Sequence, residues 1–262
     1  MRSFDNLVQK MTKVSIPHSE CKRVIENIEE LKDFVGNDIT EFIDNFRLLG
    51  IPFIEVGKGL ITLETNFTPI ENQKFCIIDI ETNGSKPQNS QIIEIGALIV
   101  KSGEVIDRFE SFVKADEIPE NIVQLTNITL EDIKDAPTLK ETLAKFRLFL
   151  KDTVFVAHNV NFDYNFISYW LENFCFGPLL NRKICTIDLA RKTIKAEKYG
   201  LSSLIDDFKI EVPSRHRAYS DALAAKEVFK KSLKEIPSSI ITTEDLIRFA
   251  KPNPKKRKKK TS

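Results

Sequence analysis

Two carboxylates one residue apart, Asp79 and Glu81, close an apolar run at residues 75–84 (FCIIDIETNG), just before a glycine turn. Side chains on a strand alternate faces, so this pair projects from one side of the strand's end. Like charges held that close call for a cation; the plainer alternative is a polar loop mouth. Further along, residues 153–157 (TVFVA) run into HNVNFD, which puts Asp163 in the first turn of a helix, where the positive helix end favours an anion. Simple capping by Asn161 or Asp163 explains that stretch equally well. In HRAYSDA, His216 falls on a loop five residues before Asp221, which starts the last long helix. A surface ion pair is the bland explanation there. As a set, four acids and no thiolate match the oxygen preference of Mg²⁺ or Mn²⁺ rather than zinc, and outline a two-metal arrangement.

The elements that must position these groups begin with a change of pattern at Lys74. Three strand-like runs follow, FCIIDI, QIIEIGALIV and VIDRFESFV, separated by turn residues such as Asn83-Gly84 and Ser102-Gly103. Short links predict an antiparallel meander. A helix over 139–150, the strand TVFVA, an amphipathic helix over 161–174, the strand-like KICTI and helices near Asp188, Leu201 and Tyr219 complete the series. Strands first and alternation later predict an α/β fold, a mixed sheet flanked by helices.

Before this lies a smaller unit. Residues 1–35 read as helical, and Asp38 with Glu41 can cap a helix whose stripe is Ile39, Phe42, Ile43, Phe46 and Leu49. Two short strands, PFIEV and LITLE, are joined through Gly57-Lys58-Gly59, which suits a hairpin and lacks the spacing of a phosphate loop. Helices followed by a two-stranded wing resemble a winged-helix module. Its would-be recognition helix shows Glu41, Asp44 and Asn45 against a single Arg47, a face that repels phosphate and suits protein docking or a structural role. Residues 65–73 (TNFTPIENQ), polar and proline-interrupted, read as a linker.

Composition sets outer bounds. The chain has 262 residues, 42% hydrophobic and 29% charged, enough for one sizeable domain and a smaller one. No long apolar run predicts a membrane span or an export signal, so a cytoplasmic protein is expected. The four cysteines are scattered without a C-x-x-C pair, which argues against zinc and against a disulfide framework; they are expected reduced, and mostly buried. The net charge of +1 hides a segregation: seven of the 39 basic residues lie in the last twelve positions, leaving residues 1–250 with 32 basic against 38 acidic side chains, net −6. Nucleic-acid contact by such a body must be local.

DIETNG, HNVNFD and HRAYSDA resemble the three exonuclease motifs of the DEDD superfamily, in its histidine branch, and the chain is most similar to the epsilon proofreading family of bacterial DNA polymerase III. IIEIGA, LTNITLEDIKDAPT, VAHN and IDLAR extend the likeness over residues 74–234. The resemblance implies a ribonuclease H-like domain in which Asp79, Glu81, Asp163 and Asp221 bind two Mg²⁺ or Mn²⁺ ions. It implies His216 as general base, a task within reach of an imidazole at physiological pH. The tyrosine branch has its base four residues before the last aspartate, where Arg217 stands here. The implied reaction is 3′ to 5′ removal of nucleoside 5′-monophosphates from single-stranded or frayed DNA ends. Thr82, Leu125, Thr126 and Phe162 would grip the terminal nucleotide, although packing beside the site is the alternative for Leu125 and Phe162. Asn127 replaces the usual glycine of LTGIT, and asparagine tolerates a left-handed backbone. Asn83 replaces the usual second threonine. His158 is read as structural and His18 as surface.

The expected organisation is a winged-helix-like module at 1–66, a linker at 67–73, the exonuclease domain at 74–236, and a short docking helix capped by Thr243 with a basic disordered tail at 237–262. In the family such C-terminal segments tie the exonuclease to the polymerase; the glutamine of a sliding-clamp peptide is missing. The basic run could also contact DNA phosphates. A free-standing exonuclease in repair or RNA trimming is the second expectation. A non-catalytic adaptor built on the N-terminal module is the third, opposed by the intact acids and histidine.

Overall fold

The computed structural model describes residues 2–214 and 216–252. The basic tail beyond 252 therefore lies outside the described residues. The central sheet has the order β6-β5-β4-β7-β8, made of β4 (Phe75–Thr82), β5 (Ile92–Lys101), β6 (Glu104–Phe112), β7 (Val154–Ala157) and β8 (Lys183–Cys185). The meander β4-β5-β6 is antiparallel, as its short links dictate, and β7 and β8 continue it in parallel pairing. This is the expected mixed sheet flanked by helices.

The alternation of β4 decides what meets what. Cys76, Ile78 and Ile80 point into a core with α6 (Leu139–Leu150) and α7 (Val160–Asn173). Phe75 and Ile77 point to the other face, packed with α8 (Thr186–Thr193), α10 (Ala218–Lys234) and α11 (Thr243–Ala250). Each fully buried Ile or Phe in these layers contributes about 1.5–3 kcal/mol. Asp79 and Glu81, on the odd-numbered face, must therefore look toward α10, the helix that carries Asp221.

The first 66 residues depart from the sequence reading in detail. The stretch 1–35 is not continuously helical: α1 (Arg2–Met11) is followed by a two-residue strand β1 (Ile16–Pro17), α2 (His18–Ile25) and a 3₁₀ turn at Lys32–Phe34. Strand β1 pairs with β3 (Leu60–Leu63), which also pairs with β2 (Phe53–Glu55), giving a three-stranded sheet where two strands were expected. Two residues are too few for a periodicity signal. Helix α3 (Ile39–Leu48) starts as read, with the Asp38 carboxylate accepting from the amides of Thr40 and Glu41. His18, expected on the surface, is half-buried: its ring stands edge-on to Phe42 at 4.9 Å, and burial lowers its pKa. Arg47 is already paired with Glu64 and Asp152.

Two further expectations are corrected. Residues 65–73 are no free linker: Thr65 is buried, Ile70–Asn72 form a 3₁₀ turn, and Pro69 bridges to Thr242. The C-terminal helix is capped by Thr242, not Thr243, through a reciprocal pair with Asp245. Its apolar face does not await a partner, because Leu246, Ile247 and Ala250 are buried in this chain's own core and Arg182 is paired with the buried Glu244. Amphipathicity alone cannot distinguish a helix docked on its own body from one docked elsewhere. Of the cysteines, Cys21 and Cys76 are buried, Cys185 is half-buried and Cys175 is exposed; all four are free.

Candidate active site

The polar end of β4 opens into a cavity of about 240 Å³ walled by Asp79, Glu81, Asp163, His216 and Asp221, with Phe162, His158, Asn159 and the α9 (Leu201–Phe208) residues Leu201, Ser202 and Ile205. All four acids and the histidine singled out in the sequence therefore share one cavity. Carboxylate oxygens of Asp79, Glu81 and Asp221 lie within 4.8 Å of one another. Asp163 is not part of that cluster.

Its position follows from backbone accounting. The parallel ladder between β4 and β7 ends at Ile78 and Ala157. The chain then turns through His158 and Asn159, and the amide of Ile80, next in line, has lost its strand partner. Asp163 Oδ1 accepts that amide at 3.2 Å from the first turn of α7. Asn159 occupies the helix N-cap with a left-handed backbone (φ 71°) and without a side-chain cap bond. Asp163 is thus an acceptor for β4 as well as a carboxylate at a helix N-terminus, and it is 2% exposed.

Asp221 comes from the opposite side, in the first turn of α10, its amide bonded to Arg217 O. Helix α10 reaches the sheet because β5 has Gly96 where it passes: a Cβ there would lie 2.1 Å from Tyr219 N and 2.3 Å from Ala218 C. Gly96 is the register partner of Asp79, and Glu94 that of Glu81. The segment IIEIGA belongs to the family likeness. Its physical content is a buried acid and a seat for α10, and the detectable signal was one glutamate inside an otherwise apolar strand.

Crowded acids in a partly closed cavity hold their protons. Burial, then the neighbouring Asp163, Glu81, Asp221 and Glu94, pushes the Asp79 carboxyl well above the usual carboxylate range. Burial, with Asp221 and Glu94 beside it, lifts Glu81 to about 8. Burial lifts Asp163 to about 8 against the opposing hydrogen bonds from its own and Ile80's amides. An all-oxygen donor set with this much unbalanced charge is chemically suited to hard divalent cations.

His158, expected to be structural, has both ring nitrogens engaged, Nδ1 with Thr186 Oγ1 at 2.8 Å and Nε2 with Tyr199 O at 3.0 Å. Burial lowers its pKa to about 4, so it stays neutral. Of the four expected nucleotide contacts, Phe162 lines the cavity; Thr82, Leu125 and Thr126 are not in its wall. Leu125 is 48% exposed, so packing does not account for it. Asn127 ends α4 (Glu120–Thr126) with φ 57°, the left-handed conformation for which asparagine substitutes for glycine.

Similarity to known proteins agrees with this geometry. The family model for exonucleases (RNase_T) matches residues 76–229. The DNA polymerase III PolC-type protein of Staphylococcus haemolyticus is 38% identical over 176 residues, 66% of this chain and 12% of that protein. Its counterpart in Staphylococcus epidermidis is 35% identical over 197 residues, 70% of this chain and 14% of its own length. The chain thus spans about an eighth of these relatives. Among solved structures, E. coli exonuclease I in a complex with single-stranded DNA aligns over 64% of this chain and 42% of its own, with TM-score 0.58 and 20% identity. Exonuclease X with 5′-overhanging duplex DNA aligns over 65% of this chain and 99% of its own, with TM-score 0.51 and 23% identity. A family match over more than half its length, around a cavity built from the three acidic motifs, makes this chain a member of the RNase_T exonuclease family, of the DEDD kind and resembling the polymerase III proofreading domain.

Proposed function

We propose that this chain is a divalent-cation-dependent 3′ to 5′ exonuclease that removes nucleoside 5′-monophosphates from DNA 3′ ends in the service of a replicative polymerase. The observation that carries the reading is the convergence of Asp79, Glu81 and Asp221 within 4.8 Å, in a cavity that also holds Asp163 and His216. The four carboxylates would hold two Mg²⁺ or Mn²⁺ ions. Such ions, when bound, supply charge stabilisation for the phosphoryl oxygens and make a water acidic enough to attack near neutral pH. His216, on the cavity wall, accepts the proton of the attacking water at a ring nitrogen. Phe162 presents an aromatic face to the terminal base and the exposed Leu125 reaches the nucleotide, while Thr82 and Thr126, expected as contacts, are buried with their hydroxyls donated to Gly84 O and Ile122 O.

Residues 74–236 form the exonuclease domain, of ribonuclease H-like kind, and residues 1–66 a winged-helix-like module. The outward Glu41 and Asp44 on α3, with Arg47 paired internally, favour a protein contact for that module over DNA. Among the described residues no helix is long and apolar enough to cross a membrane, which suits a cytoplasmic site of action.

The test is release of mononucleotides from a 5′-labelled single-stranded oligonucleotide with Mg²⁺, by the native chain and by Asp79→Ala. Loss of release in the variant supports the reading, and equal activity overturns it. Association with a replicative polymerase is tested by co-purification, comparing the full chain with one ending at Pro252. No retention by either form favours a second reading, a free-standing exonuclease.

A further inference from the structure

Glu94 is the one acid of the apolar strand β5, 2% exposed, and stands in register opposite Glu81. Nothing in the chemistry above uses it, yet both of its carboxylate oxygens are hydrogen-bonded. Its oxygens accept from Arg217 Nη2 at 2.8 Å, from Arg217 Nε at 3.1 and 3.2 Å, and from the amide of Ala218 at 3.0 Å. The guanidinium carbon of Arg217 also lies over the Phe112 ring, 4.9 Å from its centroid.

Arg217 is the N-cap residue of α10 and provides no side-chain cap to its own helix. Its side chain is committed instead to a different element. Directly before it, His216 adopts φ 55°, a left-handed conformation that costs a non-glycine residue about 1–2 kcal/mol and persists only where neighbours impose it. Directly after it, Ala218 and Tyr219 press on Gly96, and Asp221 N bonds back to Arg217 O at 2.9 Å.

We propose that Glu94 and Arg217 are positioning residues: a bidentate clamp from β5 to the start of α10 that fixes His216 and Asp221 in place over Asp79 and Glu81. This rests on the exonuclease reading above. The clamp touches no reacting atom. A fork-shaped guanidinium fixes both distance and plane, which a lysine ammonium cannot do.

The experiment compares the full chain with Glu94→Gln, Arg217→Ala and the double variant in steady-state digestion of a single-stranded oligonucleotide. Circular dichroism and thermal midpoint serve to check folding. Each single variant is expected to lose about 100-fold in kcat with KM little changed, the cost of misplacing a catalytic group by about 1 Å. The double variant should be no slower than the slower single, and guanidinium added to Arg217→Ala should restore part of its rate but none to Glu94→Gln. Additive losses, a rise in KM alone, or no guanidinium rescue would overturn the clamp, the second of these marking Arg217 as a substrate contact. If Glu94→Gln does not fold, Arg217→Ala with guanidinium decides alone. Absence of turnover by the native chain would overturn the exonuclease reading itself; turnover with full activity in both variants would overturn only the clamp.

Discussion

Asp163 Oδ1 accepts the backbone amide of Ile80 at 3.2 Å, so a helix carboxylate completes the strand that bears Asp79 and Glu81. One bond therefore links the second motif to the first. Its two possible functions, structural acceptor and cation ligand, are separable by chemistry. Asp163→Asn keeps an oxygen for Ile80 and loses the charge; Asp163→Ala loses both. We expect Asn to abolish nucleotide release at near-native stability. Ala should cost roughly 1–3 kcal/mol besides, the cost of leaving a buried amide unpaired. Urea denaturation of the two variants checks this, and equal stabilities would mean that the bond contributes nothing.

Gly96 is required by contact, not by its dihedral angles. Adding a Cβ places it against backbone atoms of Ala218 and Tyr219, which cannot swing aside as a side chain can. Gly96→Ala should destabilise by about 1–3 kcal/mol through overpacking and displace the start of α10. Activity should fall more than stability predicts, because Asp221 moves with that helix. A variant with unchanged kcat would show that the helix start is not set by this contact.

How much of this was readable from the residues alone follows the physics of each signal. Asp79 and Glu81 were legible as a pair because period two is local; local pattern put Asp163 and His216 only at helix starts, and their convergence on the same cavity was implied by the resemblance of the three motifs. The meander was legible from turn residues. Strand β1 was not, since two residues make no pattern and its partner lies more than forty positions away. Nor were Glu94 and Arg217, whose meaning depends on two elements separated by 123 positions. The C-terminal helix was read correctly as amphipathic and assigned the wrong surface, because a stripe says that something is covered and not by what.

Arg147, on α6, fastens Leu49 in the first 66 residues to the loop at Phe176, Gly177 and Pro178. Buried to 5% exposure, its guanidinium donates to the carbonyls of Leu49, Phe176, Gly177 and Pro178, and burial lowers its pKa to about 10. Leu180 N also donates to Leu49 O, and the backbone at Gly50 abuts Asn181. Arg147→Met preserves most of the volume and strips several carbonyls of their donor, so a loss of about 2–4 kcal/mol is expected. The carboxylate cavity lies elsewhere, and kcat below the unfolding transition should stay unchanged. Calorimetry with a parallel nuclease assay checks both, and a stable variant with lost activity would contradict this division of roles.

The elevated carboxyls make stability depend on pH in a direction opposite to that of paired surface acids. Glu81 and Asp163 titrate at about 8 in the folded chain and, once unfolded, at about 4. Between those values the folded form holds protons that the unfolded form has released, so cation-free stability is fully present below about pH 4 and falls as pH rises toward 8. Divalent cations compete with the same protons. At about pH 6 Mg²⁺ must displace them, whereas at about pH 8.5 it meets carboxylates already ionised and mutually repelling. The increase in melting temperature on adding Mg²⁺ to chelator-treated protein should therefore be larger at the higher pH. It should also largely vanish in Glu81→Gln. Equal increases at both pH values would mean that cation binding releases no protons from this cluster, and an undiminished increase in the variant would place the cation elsewhere.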